Sequence, residues 1–180
     1  MKLLIVVDMQ KDFIDGVLGT PEAVAIVPKV KQKVRQYENN RDYILYTRDT
    51  HTDEYLNTQE GKYLPVPHCI YESDGWQIHY SVYTPCRSEI VDKFCFGKWD
   101  IGNIVNNIVR NHGSKRGEQL ESIEIVGLCT DICVISNAMI LKSYFPETPI
   151  SVDSSCCAGV TPASHQNALE AMKMCQIEIV

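Results

Sequence analysis

The chain has 180 residues, enough for one globular domain with a sizeable core. Apolar residues make up 44% and charged residues 22%, the proportions of an ordinary soluble protein. The net charge of -6 argues against a nucleic-acid partner, and no apolar run reaches membrane-spanning length, which argues against a membrane one.

Taken in order, Lys2–Val7 is a continuous apolar run closed by Asp8. Its opening is signal-like, but the stretch is too short and meets Asp8, Lys11, Asp12 and Asp15 instead of a small-residue cleavage site, so a buried first strand is expected. Val27–Tyr37 carries helical spacing, with Pro28 suited to its first turn. Tyr43–Thr47 is the second expected strand. From about Asp49 to Arg87 no long helix or strand pattern is evident, and Pro65, Pro67 and Pro85 interrupt it. A long structureless segment in a compact domain is usually functional or disordered, and three histidines favour function. Glu89–Lys93 is the third strand and Trp99–Arg110 a helix. Lys115-Arg116, the only short basic cluster, reads as a solvated loop. Ser122–Gly127 is the fourth strand and Asp131–Phe145 a helix opening at Thr130-Asp131. Ile150–Val152 is the fifth strand, Ala163–Met174 a helix behind Thr161-Pro162, and Gln176–Val180 the last strand. Strands alternating with helices imply βαβ units. The expected fold is α/β, a three-layer Rossmann-like arrangement over residues 1–180 with a mainly parallel, about six-stranded sheet flanked by helices.

Eight cysteines form an even number, but their placement is not that of a disulfide framework. A reducing compartment, the cytoplasm, is therefore expected, with most thiols acting as small buried hydrophobes. In an open α/β sheet, ligands gather beyond the carboxyl ends of the strands. Asp8 ends the first strand, Asp49 and His51 follow the second, Lys93 ends the third, and Cys133 opens the helix after the fourth. A helix N-terminus favours a thiolate, so a lowered thiol pKa is expected at Cys133, with Cys129 lining the turn. Singly, Asp8 reads as a turn carboxylate, Lys93 as a surface lysine and Cys133 as a buried thiol. Together they supply a base, a cation and a nucleophile.

The i, i+2 spacing of Asp49 and His51 puts both side chains on one side of an extended segment. His68 adds a third N/O ligand, the number that a functional zinc-type site uses. Iron or manganese suits the same donors, so the metal's identity stays open. Glu60 is a further candidate ligand. His79 reads as an ordinary hydrogen-bonded loop histidine, and His112 and His165 as surface residues.

Five segments then carry a resemblance over essentially the full length: Leu-Ile-Val-Val-Asp8-Met-Gln-Lys-Asp-Phe13, Thr-Arg-Asp49-Thr-His51, Leu-Pro-Val-Pro-His68-Cys, Val-Asp-Lys93, and Val-Gly-Leu-Cys-Thr-Asp-Ile-Cys133-Val. With them the chain resembles the nicotinamidase/pyrazinamidase branch of the isochorismatase-like cysteine hydrolases. The resemblance implies Asp8, Lys93 and Cys133 as catalytic residues and Asp49, His51 and His68 as ligands of one divalent metal, zinc first. It implies a cis peptide between Leu128 and Cys129, aiming the Cys129 N–H with that of Cys133 into an oxyanion hole. Phe13 and Trp76 become candidate walls for an aromatic ring whose nitrogen binds the metal. The implied reaction turns nicotinamide into nicotinate and ammonia through a Cys133 thioester.

There are departures from the family pattern. Thr50 stands where an aromatic residue is common, the loop from Cys69 to Trp76 matches only loosely, and no further histidine ligand lies between Thr52 and Pro67. The nearest alternative is a related hydrolase for another small amide, carbamoyl or ureido substrate. A non-catalytic metal-binding or thiol redox module ranks lower, and vinyl ether hydrolysis is disfavoured by Cys133. The expected partner is a small-molecule amide, and a homo-oligomer is left open.

Overall fold

In the computed structural model, which describes residues 1–113, 117 and 119–180, the strands are β1 (Lys2–Val7), β2 (Tyr43–Asp49), β3 (Ser88–Lys93), β4 (Ser122–Leu128), β5 (Ile150–Ala158) and β6 (Glu178–Ile179). The pair Lys115-Arg116 lies outside the described residues. The strands form one sheet in the order β3-β2-β1-β4-β5-β6, with every neighbouring pair parallel. Helices α1 (Lys11–Ile14), α2 (Pro21–Asn39), α3 (Gln59–Tyr63), α4 (Ile101–Ile108), α5 (Ile135–Tyr144) and α6 (Pro162–Met174) complete the expected α/β arrangement.

The apolar run of β1 is continuous because both of its faces are covered. Leu3, Ile5 and Val7 point into a core shared with α4, α5 and α6, while Leu4 and Val6 join the core under α2. The strand order turns back at β1, and ligands collect at the carboxyl ends beside such a switch point. There β1 and β4 approach closely. Gly127 has φ 122, and a β carbon on it would run into the Val7 carbonyl, so only glycine fits one residue ahead of Leu128.

Several boundaries differ from the sequence reading. The first long helix starts at Pro21, where Thr20 Oγ1 accepts a hydrogen bond from Ala23 N at 3.0 Å. Pro28 is therefore inside the helix. Its missing N–H leaves the Val24 carbonyl without a helical partner, and because both residues are exposed, water can satisfy it. Asp49–Arg87 is not structureless either, holding a 3-10 turn at Tyr55–Asn57 and then α3. The helix expected at Trp99–Arg110 is α4 followed by a π-turn, Val109–Gly113, and α5 is likewise preceded by a π-turn, Thr130–Val134.

β5 runs on to Ala158, well past the expected end at Val152. Ile125 pairs with Val152 but Gly127 with Cys157, so the polar stretch Asp153-Ser154-Ser155 bulges out of register. Asp153 is satisfied there by Lys33 at 3.0 Å and by the Ser155 N–H at 3.0 Å. All eight cysteines are free thiols. Among the described residues, no helix is long and apolar enough to cross a membrane.

Candidate active site

Asp8, Asp49 and Lys93 are delivered by the ends of strands, and Cys133 by the turn after β4. β1 ends at Val7, and Asp8 follows with φ 47, its N–H bonded to the Thr47 carbonyl at 3.2 Å. Thr47 Oγ1 donates to Asp8 Oδ1 at 2.6 Å. Asp49 and Lys93 are register partners at the ends of β2 and β3. Lys93 is fully buried, with Nζ 2.7 Å from Asp8 Oδ2, 2.9 Å from Asp49 Oδ1 and 3.4 Å from Cys133 Sγ. The buried Asp8 Oδ2 faces the Lys93 ammonium as an ion pair and has no other side-chain partner among the described residues, so it can take up a proton.

Charge and burial set the protonation of this group. Burial pulls the Lys93 ammonium down, but Asp8, Cys133 and Asp49 outweigh it and hold the group well above the ordinary lysine value. The Asp8 carboxyl is raised, mainly by burial and then by Asp49, against the opposing pull of Lys93. Cys133 corrects the expectation of a lowered thiol. Burial pushes it well above the ordinary cysteine value, Asp8 adds to that, and Lys93 only partly opposes. Loss of water at this turn therefore favours the neutral thiol. Cys129 is pushed up to about 12, also chiefly by burial. The Leu128–Cys129 peptide is cis.

The second group is a candidate metal centre. Asp49, His51, Glu60 and His68 converge so that one donor atom from each lies within 4.8 Å of all the others. His51 Nε2 is 3.0 Å from Asp49 Oδ2 and 3.7 Å from Glu60 Oε1, while His68 Nε2 is 3.6 and 3.8 Å from the same two atoms. Metal–ligand bonds of roughly 2.0–2.2 Å separate neighbouring donors by about 3–3.5 Å, so the four atoms fit a small divalent cation. His68 Nδ1 lies 2.8 Å from the Val66 carbonyl, which fixes the ring with Nε2 toward the other donors. Burial raises the Asp49 carboxyl, but His51, His68 and Lys93 outweigh it and hold it well below the usual carboxylate range.

Residues that sequence reasoning left without a role support these groups. Gln10 clips both polar groups of the Asp49 backbone: Oε1 accepts from Asp49 N at 2.7 Å and Nε2 donates to Asp49 O at 2.8 Å. The same Nε2 donates to the Trp76 carbonyl at 2.9 Å. Asp12 Oδ2 accepts the Cys69 N–H at 2.7 Å, tying down the residue after His68. The buried Tyr55 ring stands edge-on to His51 and His68, with centroids 4.6 and 4.9 Å away. Gln10, Asp12 and Thr47 lie in or beside the quoted motifs, whereas nothing in the sequence pattern marks Tyr55.

A cavity of about 860 Å³ opens onto both groups, lined at its inner end by Cys133, Cys129, Asp49, His51, Glu60 and His68. Asp8 and Lys93 stand behind this wall, fully buried. Phe13 lines the cavity, tilted against His68 at 5.4 Å. Trp76 does not line it. The Arg48 guanidinium covers its ring at 3.5 Å and its Nε1 donates to Thr50 Oγ1 at 2.8 Å, so the indole is held in the scaffold behind β2. His79 is the loop histidine expected, with Nδ1 2.8 Å from Ser81 Oγ. His112 lies tilted against Tyr43 at 4.7 Å and does not line the cavity. His165 is no simple surface residue, for its Nδ1 reaches the buried Thr130 hydroxyl at 2.8 Å.

The chain is similar to known proteins over essentially its whole length. A family model for the isochorismatase domain matches residues 2–180. The chain is 25% identical over 192 residues to a nicotinamidase/pyrazinamidase of Mycobacterium tuberculosis, covering 100% of this chain and 98% of that protein. Among solved structures it is similar to pyrazinamidase of Pyrococcus horikoshii in complex with zinc, at 27% identity and TM-score 0.81 over 99% of this chain and 98% of that one. It is also similar to pyrazinamidase/nicotinamidase of Streptococcus mutans, at 25% identity and TM-score 0.82 over 100% of both chains.

Proposed function

The chain belongs to the isochorismatase domain family, and on that premise we propose that it is a metal-assisted cysteine amidohydrolase acting on nicotinamide and pyrazinamide-like aromatic amides. One observation carries this reading: the fully buried Lys93 ammonium touches Asp8, Asp49 and Cys133 at once, joining the thiol group to the metal-binding group in one cavity. The names of the relatives support the choice of amide.

The Cys133 thiol attacks the carboxamide carbon while its proton passes to Asp8. A raised thiol and a raised carboxyl suit that transfer, because the proton starts on sulfur and the carboxylate holds it readily. Lys93 stays charged throughout and balances the Asp8 carboxylate whenever the proton is off it. The tetrahedral oxyanion sits between the N–H groups of Cys129 and Cys133, each such donor being worth about 3–4 kcal/mol. Asp8 then gives its proton to the leaving ammonia, and later takes one from the water that cleaves the thioester.

Asp49, His51, Glu60 and His68 would hold one divalent cation, zinc first, which when bound supplies a Lewis-acid position for the ring nitrogen of the substrate and so aims its carboxamide at Cys133. Phe13 packs against the ring. Eight free thiols fit a reducing compartment and hence the cytoplasm.

The test compares ammonia release from nicotinamide and from benzamide, which lacks the ring nitrogen. For nicotinamide, kcat/KM is expected to be about 100-fold higher or more, since misplacing the reacting group by about 1 Å costs that much. Equal turnover of benzamide contradicts the role given to the metal group.

A further inference from the structure

His165 takes no part in the chemistry above, yet it is bonded to the turn that carries the nucleophile. It lies in the first turn of α6, half-buried, with Nδ1 2.8 Å from Thr130 Oγ1. Thr130 is fully buried and follows Cys129 directly, at the head of the π-turn that contains Cys133. A hydroxyl this deep needs a hydrogen-bond partner. Asp131, the next residue, accepts the Val160 N–H on both carboxylate oxygens at 3.2 Å. Two successive residues of the turn are thus fastened, one to the first turn of α6 and the other to the connection between β5 and α6. That connection is itself pressed against His165, since a β carbon on Gly159 would lie 2.9 Å from His165 Cβ. Within the turn, the N–H groups of Ile132 and Val134 both bond to the Cys129 carbonyl, at 3.1 and 3.0 Å. The segment from Cys129 to Cys133 therefore moves as a piece, and a tilt at Thr130 carries the sulfur with it.

We propose that His165 is a positioning residue for Cys133, holding the nucleophile turn through the Thr130 hydroxyl so that the sulfur and the Cys129 N–H meet the same substrate carbonyl. The role rests on the cysteine-nucleophile reading. Burial lowers the His165 imidazole below its ordinary value, against the opposing charge of Asp131, which suits a neutral ring sharing one hydrogen bond with a neutral hydroxyl.

The experiment measures ammonia release from nicotinamide by metal-loaded wild type, Cys133→Ala, His165→Leu, His165→Asn, Thr130→Val and the His165→Leu/Thr130→Val double variant. Each is assayed at a temperature where circular dichroism shows it folded. His165→Leu and Thr130→Val should each lower kcat about tenfold while KM stays within about twofold, because the loss is one of alignment, not of binding. The double variant should be no worse than the poorer single, since both remove the same bond. His165→Asn, which can place a carboxamide atom near the Nδ1 position, should stay within about threefold of wild type.

Unchanged kcat in the folded Leu and Val variants, multiplied losses in the double variant, or an Asn variant no better than Leu each overturns the proposal. Thr130→Val is nearly isosteric and decides the matter if His165→Leu does not fold. Wild-type turnover that vanishes in Cys133→Ala upholds the nucleophile reading whichever way the His165 variants fall. No wild-type turnover, or turnover that survives Cys133→Ala, overturns both.

Discussion

Replacing Lys93 by Met keeps the length and much of the bulk of the side chain and removes the ammonium. In the wild type that ammonium is fully buried, 2.7 Å from Asp8 and 2.9 Å from Asp49. Without it, two buried carboxylates lose their shared cation, and Asp8 keeps only the hydroxyl of Thr47 and its own burial. Removing one partner of a buried ion pair costs about 3–5 kcal/mol. At roughly 2–4 °C per kcal/mol for a chain of this size, the unfolding midpoint should fall by about 6–20 °C.

The pH dependence follows from Asp8. Its folded carboxyl stands above the ordinary value, so its cost is absent when it is protonated in both folded and unfolded states and appears as pH rises through the folded value. Losing Lys93 raises that value further. The gap between wild type and Lys93→Met should therefore be widest near pH 8 and narrower near about pH 5. Thermal unfolding of both proteins after chelator treatment, followed by circular dichroism at the two pH values, checks it. A gap under about 2 °C near pH 8, or one that widens in acid, refutes the reasoning.

Three further outcomes are expected. Gln10→Leu strips the Asp49 backbone of both its clips and should weaken zinc binding about 10–100-fold in a chelator competition, with a loss of about 3 kcal/mol in urea unfolding; unchanged affinity would show that the clip does not set the ligand. Glu60→Gln should weaken zinc binding about tenfold in the same competition, with little change in unfolding midpoint because Glu60 is only half-buried. Burial raises the Asp153 carboxyl, but Lys33 outweighs it and holds it below its usual value, so that pair stabilises at neutral pH and fades as pH falls through the depressed value; Lys33→Met should unfold earlier than wild type at pH 7 and converge with it near about pH 2–3.

Much of the site was legible because it follows from topology. Parallel strands place their carboxyl ends on one edge, so Asp8, Asp49, Lys93 and Cys133 could be brought together before any contact was known. The i, i+2 spacing of Asp49 and His51 needed only an extended backbone, which β2 and the bridge between His51 and Ile70 supply. What escaped depends on competing effects that a local pattern does not contain. Pro28 looked like a helix start because a proline inside a helix is costly, and only its exposed position makes it tolerable. β5 looked short because Asp153-Ser154-Ser155 is polar, and the bulge that accommodates it needs Lys33 from α2. Trp76 is aromatic and lies in the right loop for a cavity wall, but Arg48 and Thr50 hold its ring elsewhere. The thiol of Cys133 was expected to be lowered by its turn, but burial decides it. His165 meets Thr130 only across a long sequence separation, and no spacing rule reaches it.

The most direct measurement is ammonia release from nicotinamide by wild type and Cys133→Ala, each loaded with zinc and then stripped by chelator. A cysteine nucleophile oriented by a metal-binding group predicts turnover by loaded wild type, a large loss on stripping that added zinc restores, and none by Cys133→Ala in either state. Turnover by Cys133→Ala at the wild-type rate, or no ammonia from loaded wild type, contradicts it.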